Sequence, residues 1–446
     1  MKIEVGASIE AIVEYNTLRN ISFAPSADII NDRLSVTEVS LDVVTDDTIS
    51  VGVNGWLYDD DNALWFHGYI SYAEEEQEHV AHVRIRSELG LLDNKIIKAG
   101  MYNTNVEYML DEVFTNTEAW YIASQSILQR PITGYCPEQT ARERLQHVLF
   151  AAGLYCRDSF SEHPVIAEID TQNVREIPRY KTYWKPTLVA EEYVTAVRVT
   201  AYAFTMGTPT DEDEYVEVDG YKYIISKTEV KLNNPNVPPN TPENEVVYDS
   251  VYIINSNNVS SVASTLALYY FNRQKVDFEC INCGEYFLGE KYQVAIHEGE
   301  NTADYAIGYA ESCDFSFGIR QKSRMTIGAC TVVQLDKLIV EYIGVEAGVQ
   351  GMILGRRTYF LPANASYEVT ADYLSATLGS FAYVFRPASP TISGVKSEGA
   401  ETVRVNAYIA LKTNLNTRVL EIVSVDSVER VEEGTGGDLY YLAEIE

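Results

Sequence analysis

Residues 131–169 constrain the fold most tightly, because every local signal in them agrees on a strand, a helix and a returning strand. Pro131-Ile132-Thr133-Gly134-Tyr135-Cys136 leads to Pro137, which stands just before a helix start. Thr140 with Glu143 three residues later forms a capping box, in which the two side chains satisfy each other's free backbone N–H groups. Leu145, Val148, Leu149 and Ala152 follow at i, i+3, i+4 and i+7, one apolar face of a helix. Gly153 supplies a left-handed stop. The spacing predicts an amphipathic helix of about four turns. Its apolar face must pack on a small sheet completed by Val165-Ile166-Ala167-Glu168-Ile169.

A second helix precedes it. Thr104 and Glu107 read as another capping box, and Val106, Met109, Leu110, Val113 and Phe114 fall on one face. Together the two helices define a small α/β domain over 99–186, whose last part, Ile177 to Pro186, reads as a connector. Residues 1–98 read as strands: Val36, Val39, Leu41 and Val43 alternate imperfectly with polar residues, as do Val80, Ala81, Val83 and Ile85 with His82, Arg84 and Arg86. Asn54-Gly55 between Val51-Gly52-Val53 and Trp56-Leu57-Tyr58 is a type I′ hairpin signal. An antiparallel barrel or half-barrel with one wet face is expected there.

Residues 187–330 return to strands, with an Asp219-Gly220 hairpin turn, a Pro- and Asn-rich loop from Asn233 to Glu245, and one helix from about Val259 to Tyr270. Further strands are expected around 276–281, 292–297 and 305–319. Residues 331–446 form a β-rich C-terminal extension, with strands at 338–342, 357–361, 367–369, 381–386, 403–410 and 418–431, a loop at 344–351, and a last apolar piece, Leu439 to Leu442. The fold class is therefore mainly β with a small α/β domain, in several domains, as a length of 446 residues requires.

Charge narrows the function classes. Asp and Glu number 65 against 34 Lys and Arg, a formal net charge of −31, and such a field repels nucleic acid. It serves solubility, or it makes a negative wall along which DNA slides without sticking. Met1-Lys2-Ile3-Glu4-Val5 opens without the apolar core of a signal peptide, and no run approaches a membrane span, so assembly in the cytoplasm without membrane insertion is expected. The six cysteines, at 136, 156, 280, 283, 313 and 330, read as reduced structural thiols. Cys280 and Cys283 have the spacing of half a zinc ribbon, but a second pair is missing.

No residue is assigned a catalytic, metal-binding or cofactor role. Asp59-Asp60-Asp61, Glu74-Glu75-Glu76 and Asp211-Glu212-Asp213-Glu214 read as solvated acidic runs, since adjacent acids on a strand face opposite ways and no calcium-loop spacing accompanies them. His79 and His82, three apart in a strand-like run, cannot share a metal, and no nucleophile or phosphate-loop motif occurs. A glycosidase carboxylate pair from distant strands leaves no linear trace, so a silent enzyme stays as a rival. The 32 tyrosines against 14 phenylalanines suit partly wet interfaces and ordinary strand surfaces alike.

The unit at 131–155, with Ile132, Gly134, Pro137, Thr140, Arg142-Glu143, Leu145-Gln146 and the Ala152-Gly153 helix end, resembles the central domain of baseplate hub proteins of contractile phage tails and related injection particles. Leu41 to Thr48, Gly52 and Leu57 to Asp60 are similar to the first domain of those proteins, and the resemblance covers about the first 325 residues. It implies two tail-tube-like β-barrel domains, 1–98 and 187–330, flanking the α/β domain. It also implies a homotrimer in which six similar barrels adapt a sixfold tube to a threefold central spike. The implied partners are the tail tube protein and a distal tube initiator above, the spike below, and other baseplate proteins, with DNA passing the lumen without specific binding. The implied location is the virion or particle. A long flexible tail's hub is the alternative, disfavoured because the chain ends without room for a spike or wall-hydrolase domain. Residues 336–410 resemble small mucin-binding-like and β-grasp repeats, which keeps a surface adhesin as a further rival.

Overall fold

The computed structural model describes residues 2–6, 9–13, 22–30, 34–59, 62–77, 79–177, 182–183, 185–272, 274–281, 287–298, 302–316 and 322–342, and strands between 355 and 445, with backbone alone beyond 334. The chain is mainly β. It divides into two compact units, residues 1–295 with 306–331, and residues 296–305 with 332–446.

In the first unit, strict alternation drives the N-terminal sheet. Along Glu38–Val44 every second residue is buried, with Val39, Leu41 and Val43 fully enclosed. This strand pairs antiparallel with Val80–Arg86, which pairs with Leu64–Gln77 and so on through Asn54–Tyr58, Lys2–Val5 and Ile9–Val13. Ile12 and Val13 then meet Val44 and Val43, so the pairings return to the strand where they began. The Asn54-Gly55 hairpin turn expected from the sequence is not there. Both residues sit inside a strand, opposite Tyr69 and Gly68, and the chain reverses before them, where Gly52 takes φ 90°. A Cβ on Gly55 would lie 2.8 Å from Ile70 Cδ1, so the end of that side chain would have to shift.

Helix α1 (Val106–Phe114) buries Val106, Met109, Leu110, Val113 and Phe114, the face read from the sequence. Its cap is Asn105, whose side chain accepts from the Tyr108 N–H, and not Thr104. Thr104 is held one residue earlier, paired with Ile132 in the hairpin of Gly100–Asn105 with Pro131–Cys136. The short helix α2 (Gln125–Leu128) follows. Helix α3 (Ala141–Ala152) has both bonds of the Thr140–Glu143 capping box and ends on left-handed Gly153 at φ 66°. Thr140→Ala is expected to cost about 1 kcal/mol, read as a lower urea midpoint at unchanged slope.

Gly134 explains one letter of the family-like pattern. It takes φ 143°, and a Cβ would lie 2.5 Å from the Tyr252 carbonyl oxygen, because residues 252–253 cross directly over the strand. Leu154–Arg157 and Val165–Glu168 pair antiparallel, with Ile122–Ala123 parallel to the latter.

The next sheet runs Tyr215–Val218, Tyr221–Asn233, Ala196–Met206, Glu245–Tyr248. Asp219 and Gly220 take φ 52° and 80°, the two positive values a type I′ turn requires. Helix α4 (Val259–Phe271) packs Val259, Val262, Ala263 and Leu266 beneath this sheet. One apolar core joins α1, α3, α4 and Ala196–Met206, running through Val113, Leu149, Val197, Val199 and Leu266. The strands Gln274–Ile281, 322–331 and 306–316 continue to Ser22–Phe23, which borders Glu38–Val44. There Phe23 stacks on Phe315 at 5.1 Å, with Trp65 and Phe160 against them.

In the second unit, residues 336–342 pair antiparallel with Gly355–Leu361, and 339–342 pair parallel with Thr402–Val405. Ser366–Thr370 pairs with Thr391–Val395. Leu374–Leu378, Phe381–Arg386, Ile409–Asn414, Leu420–Glu433 and Gly437–Ile445 form an antiparallel series. The strand expected over 403–410 is two strands with different partners, Thr402–Val405 and Ile409–Asn414. The loop at 344–351, Cys283 and residues 178–181 of the connector lie outside the described residues.

Candidate functional site

Arg144 lies at the centre of the unit that carries the resemblance, and its burial is complete. Its Nη1 donates to the Tyr102 hydroxyl at 2.7 Å and to Glu112 Oε2 at 3.0 Å, while Nη2 donates to the carbonyls of Lys98 and Pro137 at 3.1 and 3.0 Å. The guanidinium also lies 5.2 Å from the centre of the Tyr102 ring. Burial, opposed by the arginine, pushes the Tyr102 hydroxyl up to about 12. The Lys95 ammonium closes the C-terminus of α1 on the carbonyls of Glu112, Val113 and Thr115. Burial pulls the Lys95 pKa down, against the raising effect of Glu112. Another buried polar anchor, Asp158, accepts from the backbone N–H and hydroxyl of Thr37, and burial pushes its carboxyl above the usual range despite those bonds. These groups act as fasteners between segments.

The acidic runs do not converge. Asp59 accepts from Ala63 N at 2.7 Å and Trp65 Nε1 at 3.1 Å, Glu74 and Glu75 are exposed on a strand, and Asp213 caps Thr210 within an exposed turn. Asp60, Asp61 and the Glu76 side chain lie outside the described residues. His79 contacts Asp46 at φ 69°, just before the strand that holds His82, and His82 bonds Asp42 at 2.7 Å, so the two histidines have separate partners. Cys136, Cys156, Cys280, Cys313 and Cys330 are buried thiols, and burial pushes Cys136 up to about 11.

The structure does bring together three groups that sequence spacing could not associate: His67, Glu88 and His163. They come from Leu64–Gln77, from the first residue of the 3-10 turn Glu88–Asn94, and from the stretch leading into Val165–Glu168. The one local hint was Ser87 before Glu88, a cap signal that places an acid in a first turn; the Ser87 hydroxyl accepts from Leu89 N.

The surface offers a different site. At the outer end of the hairpin of Ala196–Met206 with Tyr221–Asn233, Met206 is 62% exposed, Tyr221 59% and Tyr215 45%. The Lys222 ammonium sits 4.8 Å from the Tyr215 ring centre, and the exposed Asp211, Glu212 and Glu214 rim the same turn. Tyr215–Val218 and Glu245–Tyr248 are the edge strands of this sheet among the described residues. On the α/β part Trp120 is 66% exposed, with Tyr108 and Ile122 also outward. Arrangements of this kind bind through surface area and strand edges, as assembly contacts do. Among the described residues no helix is long and apolar enough to cross a membrane.

No family model matches the sequence, and no curated protein matches it. Among solved structures, the chain is similar to the 43 kDa tail protein of prophage MuSo2 from Shewanella oneidensis, at 10% identity and TM-score 0.49 over 73% of this chain and 97% of that one. It is similar to a tail protein from Neisseria meningitidis at 11% identity and TM-score 0.48, over 73% and 95%. It is also similar to prophage tail protein gp18 from Listeria monocytogenes at 12% identity and TM-score 0.46, over 74% and 94%.

Proposed function

We propose that this chain is a structural component of a phage tail or phage-tail-like particle, and within it the baseplate hub, a trimeric ring adapting the sixfold tail tube to the threefold spike. The observation that carries this reading is the uncovered end of the hairpin. Met206, Tyr215 and Tyr221 stand in solvent together at one end of a hairpin, and an acidic turn rims them. Apolar and aromatic surface with a polar rim is what an assembly contact presents.

Residues 2–86 form a strand circuit, and strands of 187–330 extend the same sheet and build a second, four-stranded one. In this reading 1–98 and 187–330 are the tube-like domains, 99–186 spaces them, and 331–446 meets other baseplate proteins. Three chains then offer six similar wedges to the tube and three to the spike. A net charge of −31 suits a lumen through which DNA or another polyanion passes without adhering. The role is mechanical, in a particle assembled in the host cytoplasm.

The test is native mass at micromolar concentration with negative-stain images of the same sample, alone and mixed with tube and spike proteins. A ring of three chains with a central hole is expected. A chain that stays monomeric in all of these mixtures overturns the reading and favours the adhesin.

A further inference from the structure

His67, Glu88 and His163 are drawn from three segments, and one ligand atom of each lies within 4.8 Å of the other two. Glu88 Oε2 is 3.1 Å from His163 Nδ1, and Glu88 Oε1 is 3.5 Å from His67 Nδ1. His67 and Glu88 are almost fully buried, whereas the His163 side chain keeps 27% of its exposure. The Trp56 ring stacks on His67 at 4.9 Å and fixes its plane. His67 Nδ1 is held by the Glu162 carbonyl, and Trp120 N–H donates to Glu88 Oε2 at 3.2 Å.

We propose that these three residues bind a divalent transition ion of the zinc type. Two imidazoles and one carboxylate are a donor set that such ions take with tetrahedral geometry, leaving one position for solvent. Ligand atoms about 2.0–2.2 Å from one ion stand roughly 3.3–3.6 Å from each other, and Glu88 Oε2 and His163 Nδ1, at 3.1 Å, are already near that spacing. The second observation is the other nitrogen of His67. Nε2 is buried and has no hydrogen-bond partner among the described residues. A histidine with one nitrogen held by a backbone carbonyl and a bare lone pair on the other is in the form that ligates metal. The Trp120 N–H on Glu88 is the kind of outer bond that orients a ligating carboxylate. The half-exposed His163 side gives the ion its route in.

The ion's work would be to tie the 3-10 turn and the stretch before Val165 to the barrel strand Leu64–Gln77. The proposal stands apart from the hub reading, since it needs neither ring nor partner.

The test uses the full chain freed of metal by chelation. Zinc is titrated in competition with a chromophoric chelator, and cobalt(II) is added separately for its visible spectrum. One zinc per chain, a higher Tm with zinc, and visible cobalt bands without thiolate charge-transfer absorption are expected. His163→Ala and Glu88→Gln should each weaken zinc binding by at least about tenfold. His163→Ala, at a half-exposed site, keeps the comparison valid if Glu88→Gln fails to fold. His79→Ala should bind as the parent does. No saturable zinc binding overturns the site, as does binding unaffected by His163→Ala, or a cobalt–thiolate band that would move the ion to cysteine.

Discussion

Arg144→Ala is expected to lower the stability of the first unit by about 3–5 kcal/mol, the cost of taking one partner from a buried charged network. The guanidinium serves four acceptors: the Tyr102 hydroxyl, Glu112 Oε2 and the carbonyls of Lys98 and Pro137. Arg144 has no exposure, so both carbonyls lose a charged donor at partly buried positions. Arg144→Lys separates charge from geometry. A lysine keeps the positive charge but presents three donors from one point, so it should recover only part of the loss. Glu112→Gln is the counterweight. Glu112 keeps 29% of its side-chain exposure, so its ion pair is partly solvated and the change should cost about 1 kcal/mol or less. Urea unfolding followed by tryptophan fluorescence measures all three. Equal effects of Arg144→Ala and Glu112→Gln would mean that only the ion pair matters and the carbonyl bonds do not.

Gly68→Ala should be nearly as damaging, at about 3 kcal/mol, although it adds one methyl group. A Cβ at that position would stand 2.1 Å from the Arg86 carbonyl oxygen and 2.7 Å from its carbon, so backbone must move. The strands involved, Leu64–Gln77 and Val80–Arg86, are consecutive members of the N-terminal circuit, and Tyr69 is paired with Arg86 at that place. Gly207→Ala is the matched control, because its Cβ would meet only Ile224 Cδ1 at an ordinary 3.4 Å. It should stay within about 0.5 kcal/mol of the parent. If Gly68→Ala unfolds at the parent's urea concentration, the close approach at Arg86 is wrong.

What the sequence made legible was local. The faces of α1, α3 and α4 and the Thr140–Glu143 box all follow from spacings of three and four residues, which a helix forces on any chain. Thr104 was misread because the same side-chain chemistry suits two adjacent positions, and the strand pairing of Thr104 with Ile132 decides between them. Asn54-Gly55 was misread for a related reason. A glycine can sit in a turn or inside a strand, and the pairing of Asn54 and Gly55 with Tyr69 and Gly68 decides between them. Arg144 carries no local signal of its role, since its acceptors lie 7 to 46 positions away. His67, Glu88 and His163 are separated by 75 residues between the last two alone, beyond any motif spacing. Long-range polar contacts have no period, and so no pattern announces them.

The strand circuit of residues 2–86 closes on itself through the meeting of Val43 and Val44 with Val13 and Ile12. A closed sheet has no border at which hydrogen bonds can be peeled away singly. Tension applied along its strands is therefore shared by many bonds in parallel, and yielding requires several to fail together.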